Sequence, residues 1–302
     1  MDWIQHLNNA IAYMEEHMAK EIDYAQLAEI ACCSPFHFQR MFSYIAGVSL
    51  TLYIKRRKMS LAAVDLQSGE KIIDVALKYG YTSPTAFNRA FQSIHGIAPS
   101  HVKEDGAILK SYPLLSFKLI AQGVEEMEFR IEQKETIRVL GVSTPLPNTD
   151  DYDEAFDAGA ELWTAVLMGP ALEELNAICN AEPGGIFGIE IAYGEPKGGV
   201  YEDLEFMIAV PSTNPKDKFL EYVIPAQTWA VFPGSSYFSE TGEMEALNKR
   251  IYTEWLPTSG YELTEAPEVH FIHSTDNLLK IKSDPQNILN TKFEIWLPVK
   301  KR

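Results

Sequence analysis

Two arginines occupy equivalent places in a repeated motif, and both could bind the bases of a nucleic acid. The pattern S-P-x-x-F-x-R-x-F-x-x-x-x-G begins at Ser34 and again at Ser83, so Arg40 and Arg89 lie 49 residues apart. Each arginine follows an amide side chain, Gln in the first copy and Asn in the second. In the DNA major groove, Arg pairs bidentately with guanine, and Asn or Gln with adenine. The repeat therefore predicts two equivalent elements that read DNA.

Each copy of the motif also predicts a helix with one buried face. Serine is a common N-cap residue, and proline fits the first helical turn. Apolar residues then recur at i, i+4 and i+7, which is the spacing of one helix face. These residues are Phe38, Phe42 and Ile45 in the first copy, and Phe87, Phe91 and Ile94 in the second. The polar residues beside this face, including both arginines, are left to contact a partner.

The segments around the two copies predict an all-α domain with two helix-turn-helix units. A short amphipathic segment precedes each copy, at residues 24–31 and 71–79. A short helix, a tight turn and a second helix that enters the major groove make up this motif. Residues 50–67 favour a connecting helix of about 27 Å at 1.5 Å per residue. With its turns, this helix would hold the two recognition helices about 34 Å apart, which is one turn of DNA.

Residues 3–104 resemble the DNA-binding domain of the AraC/XylS family. The segments that carry the resemblance are LAEIACCSPFHFQRMF, YIKRRKMSLAAVDL and IIDVALKYGYTSPTAFNRAFQSIHGIAPSHVK. The resemblance implies base contacts from Phe36, Gln39 and Arg40 in the first recognition helix, and from Thr85, Asn88 and Arg89 in the second. The alternative is that both arginines only lie on solvent-facing helix surfaces and contact no DNA. Their matched contexts favour contact with DNA.

The charge distribution predicts where DNA phosphates are bound. Residues 1–110 contain 11 Lys and Arg against 11 Asp and Glu, so this part has no net charge. Residues 111–302 contain 15 against 31 and carry the whole net charge of −16. Because a neutral domain attracts phosphates weakly, the run KRRK at 55–58 should supply much of that binding, with Lys55 and Arg56 as candidates. The acidic part should face away from DNA.

The composition indicates a cytoplasmic protein without membrane segments or cofactors. Of the 302 residues, 46% are hydrophobic and 23% are charged, as in ordinary globular proteins. No stretch has the apolar length of a membrane span, and the N-terminus does not read as a signal peptide. The cysteines, Cys32, Cys33 and Cys179, lack metal-ligand spacing, and their odd number fits a reducing compartment. We expect no metal and no other cofactor.

A change in composition at residues 104–106 predicts a boundary between two domains. We expect an N-terminal domain at 1–105, a linker with a short strand (113–121) at 106–127, and a C-terminal domain at 128–302. The C-terminal pattern is strand, helix, strand, strand, and it occurs twice. The predicted segments are 128–142, 155–178, 186–193 and 204–211, then 219–232, 242–255, 268–273 and 291–299. Such an α+β domain of two β-α-β-β units can form one curved antiparallel sheet with its helices on one face.

Residues 126–300 resemble the GyrI-like, or Rob/BmrR-type, effector-binding domains. The segments are MEFRIEQKETIRVLGVSTPLP, YVIPAQTWAVFPGSS, IYTEWLPTSGYEL, APEVHFI and FEIWLPV. The resemblance implies a pocket for a small aromatic or cationic molecule on the sheet face opposite the helices. It also implies that carboxylates in this pocket pair with the cation.

Alternation along the last two strands predicts the residues of this pocket. Glu268 and His270 alternate with aliphatic or aromatic neighbours in one strand, and Glu294 and Trp296 do so in the next. If the apolar set packs on the helices, these four side chains share the opposite face. A carboxylate beside an indole ring can bind a cation through charge and the ring quadrupole together. The alternative is a solvated polar face.

These features predict a transcription regulator that binds double-stranded DNA and a small aromatic or cationic effector. The effector would change DNA affinity, DNA bending or the recruitment of RNA polymerase. One alternative is a GyrI-like hydrolase or a sequestering protein for toxic hydrophobic compounds, with the DNA-binding domain attached. Another is regulation without a ligand, with the acidic domain as a protein-interaction surface. The chain shows no phosphate loop and no nucleophile elbow, so we predict no catalytic residues.

Overall fold

The N-terminal part of the chain is a bundle of helices. The computed structural model describes residues 3–20, 22–33, 35–117, 126–146, 152–193, 203–213, 218–238, 242–273, 279 and 291–302. The helices are α1 (Trp3–Glu16), α2 (Tyr24–Ile30), α3 (Pro35–Ala46), α4 (Leu50–Ser68), α5 (Ile72–Lys78) and α6 (Pro84–His95), followed by a 3-10 turn at Pro99–His101. None of the helices described is long and apolar enough to cross a membrane.

The repeated motif forms α3 and α6, as the sequence predicts. Their phenylalanines, Phe38, Phe42, Phe87 and Phe91, are each at most 1% exposed. The glycine that ends each copy has a positive φ, +68° at Gly47 and +79° at Gly96. Glycine adopts this left-handed conformation without strain, so it ends both helices after the same number of residues.

The described residues of the segment after the bundle are extended, but they do not form a strand where one is predicted. Residues 113–117 have no strand partner, and residues 118–121 lie outside the described part of the chain. Side chains of the bundle bind its backbone instead. The N–H groups of Tyr112, Leu115 and Phe117 donate to Ser60 Oγ, Tyr53 Oη and Asn8 Oδ1. The apolar alternation therefore indicates an extended chain on a helical surface, because helix side chains satisfy the hydrogen bonds that a sheet would otherwise provide.

The C-terminal part is an antiparallel sheet with helices. The strands are β1 (Arg130–Lys134), β2 (Ile137–Leu146), β3 (Gly185–Tyr193), β4 (Asp203–Pro211), β5 (Leu220–Ile224), β6 (Gln227–Gly234), β7 (Tyr261–Leu263), β8 (Val269–His273) and β9 (Phe293–Lys301). The helices are α7 (Tyr152–Met168), α8 (Ala171–Ile178), α9 (Glu243–Arg250), a π-helical turn at Ile251–Trp255 and α10 (Leu256–Thr258). This is the α+β architecture of two β-α-β-β units that the sequence predicts.

The strand order shows how the two units are joined. The order is β1-β6-β9-β8-β3-β4-β2-β5, with β7 added beside β9. Strands β3 and β8 form the centre, and each unit contributes one outer strand to the other unit, β1 to β6 and β5 to β2. The long strand that the sequence predicts at the start of each unit is therefore divided into two strands. These are β1 and β2 in the first unit and β5 and β6 in the second.

Two predicted segments break at residues that disfavour their continuation. The predicted strand 219–232 divides around Pro225, and the predicted helix 155–178 divides at Gly169 and Pro170. A Cβ on Gly169 would lie 2.4 Å from the carbonyl oxygen of Ala165, so the chain can turn here only with glycine. Sequence periodicity describes each segment well but does not locate the break inside it.

The two faces of the sheet have different coverings. Residues of α7, α8, α9 and the π-helical turn pack on one face, together with the first half of the N-terminal bundle, in one continuous apolar cluster. The other face carries a cluster of sheet side chains and Ala266, including Trp229, Trp296, Phe187 and Phe271. We call the first the helix-bearing face and the second the aromatic face.

Candidate effector site and DNA-binding surface

Two carboxylates meet at the centre of the sheet, on its helix-bearing face. Gly188 of β3 pairs with His270 of β8, and Ile189 pairs with Val269. The same register continued by one residue places Glu190 opposite Glu268. The Glu268 side chain has no solvent exposure, and that of Glu190 is 20% exposed. Like charges directly across a strand pair repel each other, so this position requires a cation or a proton.

Arg40 of the first recognition helix is that cation. Its Nη1 lies 2.5 Å from Glu190 Oε2, and its Nη2 lies 2.9 Å from Glu268 Oε1. Nη2 also lies 3.2 Å from the hydroxyl oxygen of Tyr44, one helical turn along α3. Burial alone would lower the pKa of Arg40, but Glu190 and Glu268 raise it well above its usual value.

Three further side chains complete the surroundings of Glu268. Tyr252 of the π-helical turn donates its hydroxyl to Oε2 at 2.7 Å. Asn248 of α9 donates to Oε1 at 3.1 Å, and His270 Nε2 lies 2.9 Å from the same oxygen. Burial alone would raise the pKa of Glu268, but Arg40 and these hydrogen bonds lower it well below the usual range of a carboxyl group. Glu268 is therefore a charged group throughout the physiological pH range.

Aromatic rings lie beside this charged cluster. The hydroxyl of Tyr237 lies 2.9 Å from His270 Nδ1, and its ring centroid lies 5.4 Å from that of Trp163. A Cβ on Gly188 would lie 3.1 Å from Phe206 and 3.2 Å from Trp163, so glycine lets both rings approach the strand. Carboxylates next to aromatic rings are the combination that binds organic cations.

The predicted grouping of four pocket residues is wrong. In the β8–β9 pairing, His270 lies opposite Ile295 and Phe271 lies opposite Glu294. Glu268 and His270 are therefore on the helix-bearing face, whereas Glu294 and Trp296 are on the aromatic face. Alternation shows which residues of one strand share a face, but the register between two strands decides which faces coincide. The sequence also predicts Glu268 on the sheet face opposite the helices, and this prediction is wrong, because Glu268 lies on the helix-bearing face.

Glu294 and Trp296 have cations of their own. Arg130 Nη2 lies 2.7 Å from Glu294 Oε1, and Trp296 Nε1 donates to Glu294 Oε2 at 2.7 Å. Lys134 Nζ lies 4.3 Å from the centre of the Trp296 ring. The expected pairing of carboxylate, indole and cation thus exists, but β1 of the same chain supplies the cations.

Four residues bonded to Arg40 or Glu268 were not predicted from the sequence: Tyr44, Glu190, Asn248 and Tyr252. Glu190 had a visible signal, because it is the one charged residue in the apolar strand GIFGIEIAY. Asn248 and Tyr252 are four residues apart, which places them on one side of a helical segment. Their connection with Glu268 depends on packing between α9 and β8 and has no local signal.

The second recognition helix leaves its predicted DNA contacts open. Thr85 and Arg89 are exposed, and Asn88 is half-buried. Arg89 lines a cleft of about 660 Å³ with Lys55 and Lys58 of α4. On this side, one exposed arginine and two half-buried lysines line the same cleft, an arrangement that suits contact with phosphates.

The remaining predicted DNA contacts are less open. Gln39, Lys55 and Arg56 are half-buried, and the Arg56 guanidinium stacks 4.8 Å over the ring of Tyr112. The side chain of Phe36 lies outside the part that the structure describes. Arg40 is only 9% exposed, so the first helix does not offer its arginine to DNA in this conformation.

Comparison with known proteins identifies both domains. Residues 27–105 match a helix-turn-helix domain family, and residues 130–299 match the family of integron-associated effector binding proteins. The fold and these matches define the class, a helix-turn-helix transcription regulator with a C-terminal effector-binding domain. The chain belongs to the AraC family of such regulators, with a GyrI-like effector-binding domain. The two expected family memberships are confirmed.

Individual relatives match one domain each. The regulatory protein SoxS of Escherichia coli K12 is 33% identical over 95 residues, which are 31% of this chain and 89% of SoxS. The transposon Tn10 TetD protein of Escherichia coli is 30% identical over 100 residues, 33% of this chain and 72% of TetD.

Two solved structures are also similar. An integron cassette protein of Vibrio cholerae is 10% identical, with a TM-score of 0.38 over 57% of this chain and 95% of its own. An AraC-type regulator of Chromobacterium violaceum is 20% identical, with a TM-score of 0.31 over 33% of this chain and 89% of its own. Likeness at these values carries no functional information.

Proposed function

We propose that this regulator binds an organic cation at Glu190 and Glu268, and that the cation controls how the two recognition helices bind DNA. The observation that carries the proposal is the pair of facing carboxylates, one fully buried, beside the rings of Trp163 and Tyr237. Ionised carboxylates are kept in such surroundings only with a positive partner. A flat aromatic cation would satisfy both the charges and the rings.

The effector site is tested with a matched pair of probes, benzamidine and its neutral analogue benzamide. Isothermal titration calorimetry should show binding of benzamidine to the full chain and binding of benzamide at least about tenfold weaker, a difference of about 1.4 kcal/mol. Glu268→Gln keeps the shape of the side chain and removes its charge, so it should abolish this preference. Equal binding of both probes would contradict an electrostatic effector site.

For DNA, we propose base contacts from α3 and α6 and phosphate contacts from Lys55 and Arg56. A duplex selected from a random library serves as the DNA. Arg89→Ala should cost about 1–3 kcal/mol of binding and relax the preference at one base position. Lys55→Ala should instead weaken all duplexes similarly and reduce the salt dependence of binding. An Arg89 variant with unchanged affinity and preference would contradict base contact by α6.

We further propose that the C-terminal domain binds its effector without transforming it. Each oxygen of Glu268 already accepts a hydrogen bond or an ion pair, and its low pKa makes it a poor general base. Recovery of the bound compound unchanged, checked by mass spectrometry, tests this part of the proposal. Recruitment of RNA polymerase stays a prediction.

A further inference from the structure

Equivalent faces of the two recognition helices have opposite surroundings. The face in question contains His37, Arg40 and Tyr44 on α3, and Ala86, Arg89 and Ser93 at the matching positions of α6. The three residues of α6 are exposed. On α3, His37 and Arg40 are buried and Tyr44 is half-buried, because this face packs on α9 and the π-helical turn.

The contact that covers α3 is built from specific pairs. Arg40 spans Glu190 and Glu268, as described above. The ring of Tyr44 stacks on that of Tyr252 with centroids 5.8 Å apart, and the Tyr44 hydroxyl accepts a hydrogen bond from Asn248 at 3.1 Å. Tyr252 and Asn248 also bind Glu268, so α3 and this carboxylate of the proposed effector site share the same partners.

Arg40 therefore has two incompatible partners. Reading guanine requires two N–H donors of its guanidinium to face the base, and here both terminal nitrogens are bound to carboxylates. A cation at Glu190 and Glu268 would occupy the place that the guanidinium now fills. DNA would therefore compete with the two carboxylates for Arg40, and the effector would compete with Arg40 for the two carboxylates.

We propose that Arg40 is an internal ligand of the effector site, and that a planar aromatic amidine or guanidine displaces it and releases α3 to DNA. This inference rests on the effector site proposed above and specifies its ligand class, because an amidinium group reproduces the paired N–H donors of Arg40. In the absence of the effector, only α6 presents its arginine, and the protein binds half of its DNA site.

The first test follows the Arg40 guanidinium directly in the full chain. In ¹⁵N-labelled protein, the exchange of the Arg40 side-chain Nε–H with water should be slow, because Arg40 is 9% exposed. Arg89 provides the fast-exchanging reference on the matching helix. Saturating benzamidine should accelerate the exchange of Arg40 by at least about tenfold, since local opening governs the rate, and should leave Arg89 unchanged. Benzamide should have no effect.

The second test measures competition. Arg40→Ala empties the site, so calorimetry should show benzamidine binding at least about tenfold tighter than in the parent chain. Tyr44→Ser introduces the residue that α6 has at the matching position, Ser93. This variant keeps Arg40 and both carboxylates, and it should tighten benzamidine binding by a smaller factor. It also replaces Arg40→Ala if that variant does not fold. Arg138→Ala removes an arginine from an exposed ion pair with Glu221 and should leave the affinity unchanged.

The outcomes separate this inference from the proposed function. If benzamidine binds while Arg40 stays protected, or if the tested variant binds it more weakly than the parent chain, the internal-ligand inference is wrong and the effector site stands. If benzamidine binds neither the parent chain nor the tested variant, the effector site itself is wrong and the competition fails with it. Release of Arg40 together with tighter binding to the variant supports both.

Discussion

At the scale of single residues, the chain neutralises its own buried carboxylates with arginines from distant elements. Glu268 pairs with Arg40, which precedes it by 228 residues, and Glu294 pairs with Arg130, which precedes it by 164. Removing Arg40 would leave an uncompensated charge on Glu268, whose side chain has no solvent exposure. The two pairs differ in position, because only the first joins a predicted base contact to the proposed effector site.

Glu294 should contribute to stability in a pH-dependent way. Burial would raise its pKa, but hydrogen bonds from His273, Trp296 and Arg130 lower it to about 2. Because the folded-state pKa is below the unfolded value of about 4.3, the contribution is complete above pH 4.3 and is lost as the pH falls towards 2. Glu294→Gln should therefore cost about 1.5–3 kcal/mol at pH 7, and less below pH 4, in urea unfolding experiments.

The control for this prediction is Glu221→Gln. Glu221 forms an exposed ion pair with Arg138, and such pairs contribute little to stability. A cost at Glu294 that stays constant from pH 7 to pH 3 would show that its charge is not responsible.

At the scale of elements, α3 and α6 are copies in sequence whose environments differ. Both have a buried phenylalanine face and a glycine end, but α3 has a second covered face. His37 is at the centre of that face and is 1% exposed, whereas its counterpart Ala86 is exposed. An imidazole in such a place must stay neutral, so the docking of α3 should depend on pH.

Acidification should weaken the docking of α3 through His37. Burial, and secondarily the charge of Arg40, lower the pKa of His37 to about 4, although Glu268 opposes this. The contribution of neutral His37 to stability is complete above its unfolded-state pKa of about 6.5 and is lost as the pH falls towards 4. Between pH 7.5 and 5, the parent chain should lose about 1–2 kcal/mol more than His37→Phe in denaturant unfolding. The exposed His101 is the control, since His101→Gln should follow the parent, and identical pH profiles for the parent and His37→Phe would contradict the prediction.

The extended segment after the bundle depends on side-chain hydrogen bonds. Asn8 of α1 accepts from the N–H of Phe117 at 2.8 Å and donates to its carbonyl oxygen at 2.9 Å. Asn8→Ala should cost about 1–2 kcal/mol and should increase hydrogen exchange at residues 111–117. Its exposed neighbour provides the control, because Asn9→Ala removes no such bond. Unchanged exchange in the Asn8 variant would mean that apolar contacts alone hold the segment.

At the scale of the whole molecule, the two halves of the N-terminal bundle belong to different cores. Residues of α1, α2 and α3 share one apolar cluster with the helix-bearing face of the sheet. Residues of α5 and α6 form a separate cluster with the second half of α4. In our proposal, the effector-binding domain therefore acts on α3, whereas α6 packs in a core that does not include the sheet.

Effector and DNA should strengthen each other's binding. If the cation releases α3 and DNA captures it, linkage requires that each ligand change the affinity of the other by the same factor. We expect benzamidine to tighten binding of the selected duplex by about 5–150-fold, and the duplex to tighten benzamidine by the same factor. Fluorescence anisotropy of the duplex measures its affinity with and without benzamidine, and calorimetry measures the affinity of benzamidine with and without the duplex. Weaker DNA binding in the presence of benzamidine would contradict the proposed direction of control.

Local patterns in the sequence were sufficient for most of the elements and for the class of protein. The repeat around Arg40 and Arg89 predicts two recognition helices with buried phenylalanine faces, because helical spacing within a dozen residues determines which side chains share a face. Alternation predicts most of the strands in the same way. Both families are visible at this level, since their motifs consist of these local features.

Only the tertiary structure decided which residues meet. The register of β8 against β9 separated Glu268 from Glu294, because a shift of one residue reverses the faces of a strand. Arg40 is a predicted base contact, but the docking of α3 pairs it with Glu268, a predicted ligand contact. Arg89, at the same position of the motif, is exposed. The first outcome depends on pairing between two separate strands, and the second on a contact between residues 228 positions apart, so no local periodicity contains either.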